Sequence, residues 1–485
     1  MDDHLAFASA STLTRLIESR QIGCVELLDL FVRRIEKYNA ALNAVISNQI
    51  SDARQKAAQC DTARAKGERI GPLHGLPMTV KESFDVAGLA TTWGVPEFKG
   101  NIAKRPATVV SRFESAGAIV FGKTNIAANL ADWQSFNPVY GCTNNPWDVT
   151  RSPGGSSGGS AAALAAGLTA LEVGSDIGGS IRNPAHYCGI YGHRPTFGVV
   201  PQTGHGLPDT YSHGDLNVIG PLARSAEDLT LALQTIAGPE DAAARAWSLQ
   251  LPEATAKPLS RLRIRVNLSA AVAEVDRSIQ DGISRLAEWL AQHGAQIEHG
   301  GPPADEALLQ EMYILLLRAG TSRRLTEAQR SQLLQDRAAS EGRHDYFALQ
   351  ARGNTISHWE WLKWDNLRHQ FQAAWHALFN DIDFYLCPAA ATAAVPHNHV
   401  GPRWERMIDV NGQPQPSTTQ MYWAGLAVAA NLPATVAPIG ATPEGLPIGV
   451  QIIGAPYQDL SCIHFAGMLE RDYYGFHIPP AFAPA

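Results

Sequence analysis

The first forty residues carry apolar side chains at helical spacing. Leu13, Leu16 and Ile17 form one apolar stripe, and a longer stripe with i, i+1, i+4, i+5 and i+8 spacing covers residues 27–35. Both stripes predict amphipathic helices that each bury one face. We therefore expect residues 1–70 to form N-terminal helices packed on a core.

Beyond residue 70, apolar runs that predict strands alternate with amphipathic or alanine-rich segments that predict helices. The predicted strands are 76–80, 118–122, 171–173, 262–266 and 448–453, and the predicted helices are 108–116, a segment starting at Ser160, and 276–292. This alternation indicates an α/β fold with a largely parallel or mixed sheet.

The remaining organisation follows from composition along the chain. Residues 71–238 are expected to form the core that carries the glycine-rich loops described below, and 239–485 the remainder of the same α/β domain. Residues 239–258 are rich in Ala, Pro and Glu, which is typical of a surface linker. Residues 312–379 have a helical pattern with many aromatic side chains and predict a cap over one face. Its tryptophans are Trp359, Trp361, Trp364 and Trp375.

Composition narrows the class of protein. The 485 residues are 45% hydrophobic and 18% charged, which is enough to bury a large core. The net charge of −7 leaves no basic surplus for nucleic acid, so we expect no nucleic-acid partner.

Six scattered cysteines without a Cys-x-x-Cys motif indicate neither a disulfide scaffold nor a zinc cluster. The acidic amino terminus and the short apolar runs predict no signal peptide and no membrane span, and therefore a cytoplasmic protein.

Glycine is concentrated in one part of the chain. Residues 141–220 contain 16 of the 42 glycines but only eight charged residues. A segment so rich in glycine and so poor in charge is too irregular for a plain helix or strand, yet apolar enough to be buried. Its backbone is expected to approach another group closely.

Two glycine-serine turns lie inside this segment, at 154–160 and 174–182. The first lacks the Gly-Lys-Ser/Thr ending of a phosphate-binding loop. It also follows two prolines where a nucleophile elbow needs a strand, so a structural loop is the alternative if it acts alone. The second turn has two glycines before Ser180, which suits an oxyanion hole beside a nucleophile. Upstream, Lys81 follows an apolar run, and burial there would turn it into a base near neutral pH.

These segments together resemble the amidase signature family. The matching segments are 75–77, 80–81, 122–125, 145–147, 154–160, 174–184, 195–198, 220–224 and 445–454. The resemblance runs from the first helices to about residue 470. It implies a single α/β/α domain built around a large mixed sheet flanked by helices.

The resemblance also implies a Ser-Ser-Lys triad. Ser180 matches the nucleophile, Ser156 the bridging serine after a cis peptide bond, and Lys81 the base. The backbone N–H groups that match the oxyanion hole are those of Ile177, Gly178, Gly179 and Ser180. The positions that match structural supports of the site are Gly155, Ser157, Asp176 and Arg182.

The implied activity is that of a serine hydrolase that cleaves linear amides through an acyl-enzyme, without a metal or other cofactor. Its substrate is a small amide-like molecule, and anilides, carbamates and esters share the same carbonyl chemistry. The alternative is a glutaminase-type subunit of a glutamine-dependent amidotransferase. Many such subunits carry an acidic residue where Ala127, Ala128 and Asn129 stand here. A homodimer agrees with the family, although no segment identifies an interface.

Other candidate residues stay open at this point. His397 and His399 resemble a metal pair, but no third ligand stands at regular spacing, so loop histidines are the favoured interpretation. Four histidines close to the nucleophile in sequence are candidates for lining the substrate cleft: His186, His193, His205 and His213. Trp133, Phe136 and the tryptophans of the predicted cap fit either the cleft or the core.

Overall fold

Eight strands form the central sheet of the protein. A computed structural model describes residues 3–254 and 257–484, so the ends of the predicted first and last regions and two residues of the predicted linker lie outside the described residues. The strands, in chain order, are β1 (Val45–Asn48), β2 (Pro77–Lys81), β3 (Ile119–Thr124), β4 (Phe136–Asn137), β5 (Gly141–Cys142), β6 (Glu172–Asp176), β7 (Tyr191–Arg194), β8 (Val218–Ala223), β9 (Arg263–Val266), β10 (Gln296–His299), β11 (Phe384–Pro388), β12 (Met407–Val410), β13 (Gln413–Pro416), β14 (Ala434–Ala441) and β15 (Pro447–Ile453).

The central sheet has the order β10-β9-β11-β15-β14-β7-β8-β6. Strands β10, β9 and β11 are parallel, and every other neighbouring pair is antiparallel, so the sheet is mixed. A three-stranded sheet of order β1-β3-β2 lies beside its β6 edge, where Thr79 of β2 contacts Glu172 of β6. The central sheet takes strands from both the 71–238 and the 239–485 regions.

Fifteen α-helices accompany these sheets in the described ranges. They are α1 (Ala10–Glu18), α2 (Cys24–Leu42), α3 (Ile50–Ala65), α4 (Thr108–Ser115), α5 (Gly158–Ala165), α6 (Arg182–Cys188), α7 (Ala226–Ile236), α8 (Ala243–Ala246), α9 (Arg277–Gln292), α10 (Glu306–Thr321), α11 (Glu327–Ala339), α12 (Tyr346–Asn354), α13 (His358–Leu378), α14 (Met421–Ala429) and α15 (Asp459–Asp472). No helix of this part of the chain is long and apolar enough to cross a membrane.

Helices cover both faces of the central sheet. Successive side chains of a strand point to opposite faces. On β15, Ile448 packs on Gly282 of α9, whereas the next residue, Gly449, lies against His186 of α6. The short, wholly buried α6 is therefore enclosed between the sheet and the loops of residues 141–220. The predicted fold, a large mixed sheet flanked by helices, is confirmed.

The elements with a clear pattern occur where the sequence predicts them. Helix α9 begins where Asp276 caps it, since Oδ1 accepts the Ser278 N–H at 2.9 Å. Helix α3 has no apolar stripe in the sequence, because the residues that it buries are Ala53, Ala57 and Cys60. Small side chains give little amphipathic signal, so the hydrophobic pattern does not predict this helix.

Candidate active site

Lys81 ends β2, a strand whose five residues are all buried. Its Nζ donates to Ser156 Oγ at 2.7 Å and to Ser175 Oγ at 3.0 Å. Burial lowers the pKa of Lys81 to about 7, although the carboxylates of Asp176 and Glu172 act against this shift. Lys81 is therefore neutral in a large fraction of molecules near pH 7, and a neutral amine can accept a proton.

The two nearby acids differ in charge. Burial raises the pKa of Glu172 to about 8, although Thr79 Oγ1 donates a hydrogen bond to it. Its carboxyl group is thus mainly protonated at neutral pH. Burial also opposes ionisation of Asp176, but the charge and the hydrogen bonds of Arg182 hold its pKa below the usual range. Lys81 therefore has no carboxylate of its own to hold its proton, because Glu172 is mainly protonated and Asp176 is paired with Arg182.

Ser156 lies on the loop between β5 and α5. The Gly155–Ser156 peptide bond is cis, as the family resemblance implies. Position 155 has room only for glycine, since a Cβ atom there would lie 2.4 Å from the carbonyl oxygen of Asp132. Ser135 Oγ donates to Gly154 O at 3.0 Å and accepts the Gly158 N–H at 2.9 Å. One buried hydroxyl group thus holds the loop on both sides of Ser156.

Ser180 lies just before α6 and is 5% exposed. Its carbonyl oxygen accepts the Ser157 N–H at 3.2 Å, which ties the two glycine-serine turns together. Ser156 and Ser180 line the same cavity. Within the described ranges, Ser180 Oγ makes no hydrogen bond within 3.5 Å, so the Lys81–Ser156 contact is formed and the Ser156–Ser180 contact is not.

The carboxylate of Asp176 organises the turn that carries Ser180. It accepts the N–H groups of Gly179 at 2.9 Å and Ile181 at 3.1 Å. Arg182 binds both of its oxygens, with Nη2 at 2.8 Å and Nε at 3.0 Å. These two parallel hydrogen bonds fix the orientation of the Asp176 carboxylate and also strengthen the ion pair. The Arg182 guanidinium also donates to Ala424 O and to Gln451 Oε1, so it joins the turn to α14 and β15.

Three of the four predicted oxyanion donors are available. The N–H groups of Ile177, Gly178 and Ser180 have no acceptor among the residues that the structure describes, whereas Gly179 N–H is bound to Asp176. The carbonyl of Ile177 accepts Tyr313 Oη at 2.9 Å. Because C=O and N–H point in opposite directions across a trans peptide, this bond aims the Gly178 N–H away from Tyr313.

Several contacts of the site lie outside the predicted set. Ser175 was missed because a small polar residue inside a buried strand gives no signal in the sequence. Tyr313 was missed because it stands in a continuous apolar run of α10. Trp133, a candidate for the cleft, donates from Nε1 to Gly178 O at 2.7 Å. The hydroxyl of Ser157, a predicted support, is buried without a partner in the described protein; only its backbone joins the two turns.

The cavity above the serines has a volume of about 1350 Å3, more than a typical small-ligand site. Its walls include Trp93, Trp133 and Met421. From the predicted cap, residues between 317 and 329 line it. The cap tryptophans and Phe136 are not among its lining residues: Trp375 is fully buried, and Trp359 is 65% exposed.

The four candidate histidines divide into two pairs. His205 and His213 line the cavity. Burial, together with the charge of Lys81, lowers the pKa of His205 to about 3, so this ring is neutral. His186 and His193 belong to the core, where His193 contacts Asp459 at 3.1 Å.

A third side chain with a possible metal-ligand atom, Cys142, lies beside His397 and His399. Cys142 Sγ lies 3.8 Å from His399 Nε2, and 3.6 and 4.0 Å from the two ring nitrogens of His397. A sulfur nearly equidistant from both nitrogens does not lie along the lone pair of either. His397 Nε2 also contacts Asn144 Oδ1 at 3.0 Å. This arrangement is that of a thiol packed on imidazole rings rather than a preformed ligand set.

Known proteins resemble this chain in sequence and in fold. The family model described as Amidase matches residues 26–463. The chain is 30% identical to the indoleacetamide hydrolase of Bradyrhizobium diazoefficiens, over 96% of this chain and 86% of the relative. It is also 30% identical to a subunit of the glutamyl-tRNA(Gln) amidotransferase of Moorella thermoacetica, over 96% of this chain and 97% of the relative. A solved bacterial aryl acylamidase of the amidase signature family matches with a TM-score of 0.79 and 26% identity, over 96% of each chain.

Proposed function

Because the chain belongs to the amidase family and is an amide-cleaving hydrolase, we propose that it acts through an acyl-enzyme formed on Ser180. The observation that carries the proposal is the 2.7 Å contact between Lys81 Nζ and Ser156 Oγ, at a lysine whose pKa burial lowers to about 7. A neutral amine beside a hydroxyl group, next to a second serine on the same cavity, can relay a proton.

In the first step, Ser180 Oγ attacks the amide carbonyl carbon. Its proton passes to Ser156 while Ser156 gives its own proton to Lys81, so the lysine becomes charged and the carbonyl oxygen becomes an oxyanion. The free N–H groups of Ile177, Gly178 and Ser180 are the proposed donors to that oxyanion. Removing one such donor commonly costs about 10²–10³ in rate.

In the second step, the C–N bond breaks. Ser156 returns a proton to the leaving nitrogen and recovers one from Lys81, because an amide anion is a very poor leaving group. Water then attacks the acyl-enzyme by the same relay and releases the carboxylic acid. These steps use side chains, backbone N–H groups and water alone, so the proposal involves no cofactor.

The proposed substrate is a small molecule with an amide bond. The relatives are named for indoleacetamide and aryl acylamide hydrolysis, and the cavity places Trp93, Trp133 and Met421 around the serines. Aromatic and thioether side chains favour an apolar or aryl part in the substrate. Anilides, carbamates and esters present the same carbonyl group to Ser180.

The test is turnover of amides, anilides, carbamates and esters, combined with labelling by a fluorophosphonate. The wild-type enzyme is expected to hydrolyse at least one class and to gain one phosphonyl group on Ser180. Ser180→Ala is expected to lose both, and Lys81→Met to lose most of both. Lys123→Met is the matched control, since Lys123 is also buried but contacts Ala90 O and Thr91 Oγ1 instead of a cavity serine. Labelling of Ser180→Ala at full rate would overturn the assignment.

The second candidate function is the glutaminase-type subunit, favoured by the 30% identity to a subunit of an amidotransferase. Glutamine hydrolysis that appears only when a partner chain is added would favour it. Turnover of simple amides by the isolated chain would favour the stand-alone hydrolase.

We also propose a reducing, cytoplasmic location and a homodimer. The six unpaired cysteines, five of them buried, support the proposed location.

A further inference from the structure

Arg318 of α10 is a buried cation for which the described residues supply no partner of opposite charge. Its side chain is 8% exposed and lines the cavity, and its Nε is buried without a hydrogen-bond acceptor. No carboxylate lies within ion-pair distance in the part of the chain that the structure describes. The guanidinium carbon of Arg318 lies over the aromatic ring of Tyr346, 5.6 Å from its centroid. A guanidinium group has five donors, and a buried Nε–H that is left without an acceptor is costly.

A second arginine, Arg403, faces the same aromatic ring from 6.0 Å and also lines the cavity. It donates to Ala131 O, but its Nε is likewise buried without an acceptor. Burial and the positive charge of Arg403 lower the pKa of Arg318 to about 10. The two cations thus repel each other, and nothing in the described protein neutralises either of them.

The four other arginines of the cavity are in one of two different situations. Arg151 and Arg406 form ion pairs, whereas Arg323 and Arg324 are exposed. Arg406 forms an ion pair with Asp132 at 2.6 Å, so its charge is neutralised. Arg323 donates to Ser212 O at 3.0 Å and is exposed, so water solvates the rest of its guanidinium group. Arg318 and Arg403 differ from both, because each combines a buried Nε with an uncompensated charge.

We infer that Arg318 and Arg403 form a subsite that binds a carboxylate group of the amide substrate. The inference rests on the proposed function, because it places this group in the cavity that contains Ser180. A carboxylate is planar, accepts two parallel N–H bonds and cancels the repulsion between two guanidinium groups. Arg318 stands five residues after Tyr313, which contacts the oxyanion turn. That spacing corresponds to about 7.5 Å along the helix, so the carboxylate lies several bonds away from the scissile amide.

The test uses fluorophosphonates that have alkyl tails of three to eight carbons ending in a carboxylate, each paired with the neutral carboxamide of equal length. The second-order rate of Ser180 modification is followed by mass spectrometry in the full chain. The wild-type enzyme should prefer one carboxylate tail over its carboxamide by about 10- to 100-fold, the range expected for a charge-assisted bond. Arg318→Gln should lose this preference because its rate with the carboxylate tail falls more than its rate with the carboxamide, and Arg318→Lys should recover part of it. Arg323→Gln is the matched control and should keep the preference.

Equal rates for both tails at every length in the wild-type enzyme would overturn the subsite, and so would a similar loss for both tails in Arg318→Gln. Absence of labelling at Ser180 by every reagent would instead overturn the proposed function. If Arg318→Gln does not fold, as judged by its thermal transition, Arg403→Gln answers the same question, because the same loss of preference is expected.

Discussion

The neutral state of Lys81 predicts the pH dependence of the reaction. A lysine with its ordinary pKa of 10.5 is neutral in about one molecule in 3000 at pH 7, whereas a pKa of about 7 makes about half of the molecules neutral. Burial of Lys81 therefore supplies about 10³-fold more of the free base. We expect kcat/KM to fall about tenfold per pH unit below pH 7 and to level off above pH 8.

The assay is kcat/KM from pH 5 to 10 for the wild-type enzyme, Lys81→Met and the Lys123→Met control. Lys81→Met should lose about 10²- to 10⁴-fold in rate at pH 8, and its residual rate should lack the limb near pH 7. Lys123→Met should keep the limb. A limb near pH 10, or one near pH 7 that persists in Lys81→Met, would refute the assignment of Lys81 as the base.

The pH dependence of folding stability is an independent measurement of the lowered pKa of Lys81. Between pH 7 and 10.5 the unfolded chain holds a proton on Lys81 that the folded chain has lost, so the free energy of unfolding rises with pH in this window. The full effect is about 5 kcal/mol, from 10.5 − 7 at 1.36 kcal/mol per pH unit. Chemical denaturation should show this rise in the wild-type protein, and the rise should be smaller in Lys81→Met, where only the buried Lys123, whose pKa is lowered to about 8, still contributes in this way. An identical pH dependence of the two proteins would contradict the shift.

Three further substitutions test the surroundings of the serines. Glu172 has a folded pKa of about 8, above its ordinary 4.5, so stability should fall as pH rises between these values, and Glu172→Gln should remove that fall in denaturation curves. Tyr313→Phe removes the bond to Ile177 O; we expect kcat/KM to drop about 5- to 10-fold, and an unchanged value would show that the turn holds without it. Gly179 has φ +91°, so Gly179→Ala should lower stability by about 1–3 kcal/mol and reduce the rate of phosphonate labelling; a melting temperature equal to the wild type would contradict this strain.

The sequence predicted the α/β class because strand and helix patterns are local. It also singled out Ser156 and Ser180, because residues that need a special backbone leave glycines beside them in the chain, and Lys81, because it follows an apolar run. The structure places Ser156 and Ser180 on one cavity and joins Lys81 to Ser156 by a hydrogen bond, while the roles of these residues and of the oxyanion donors stay predictions. Helix α3 escaped prediction because alanine and cysteine give a weak pattern, and the cap tryptophans do not line the cavity.

By itself, then, the sequence determined where the backbone must turn tightly and which side chains could react, since both are properties of neighbouring residues. Only the tertiary structure decided the charge states of those side chains. The low pKa of Lys81 and the uncompensated charges of Arg318 and Arg403 depend on which groups pack around them and on how far water is excluded. Arg318 lies 138 positions after Ser180 in the chain, and no local pattern reveals that it shares a cavity with that serine. Desolvation and repulsion arise from the packed surroundings, which is why they appear only in the folded protein.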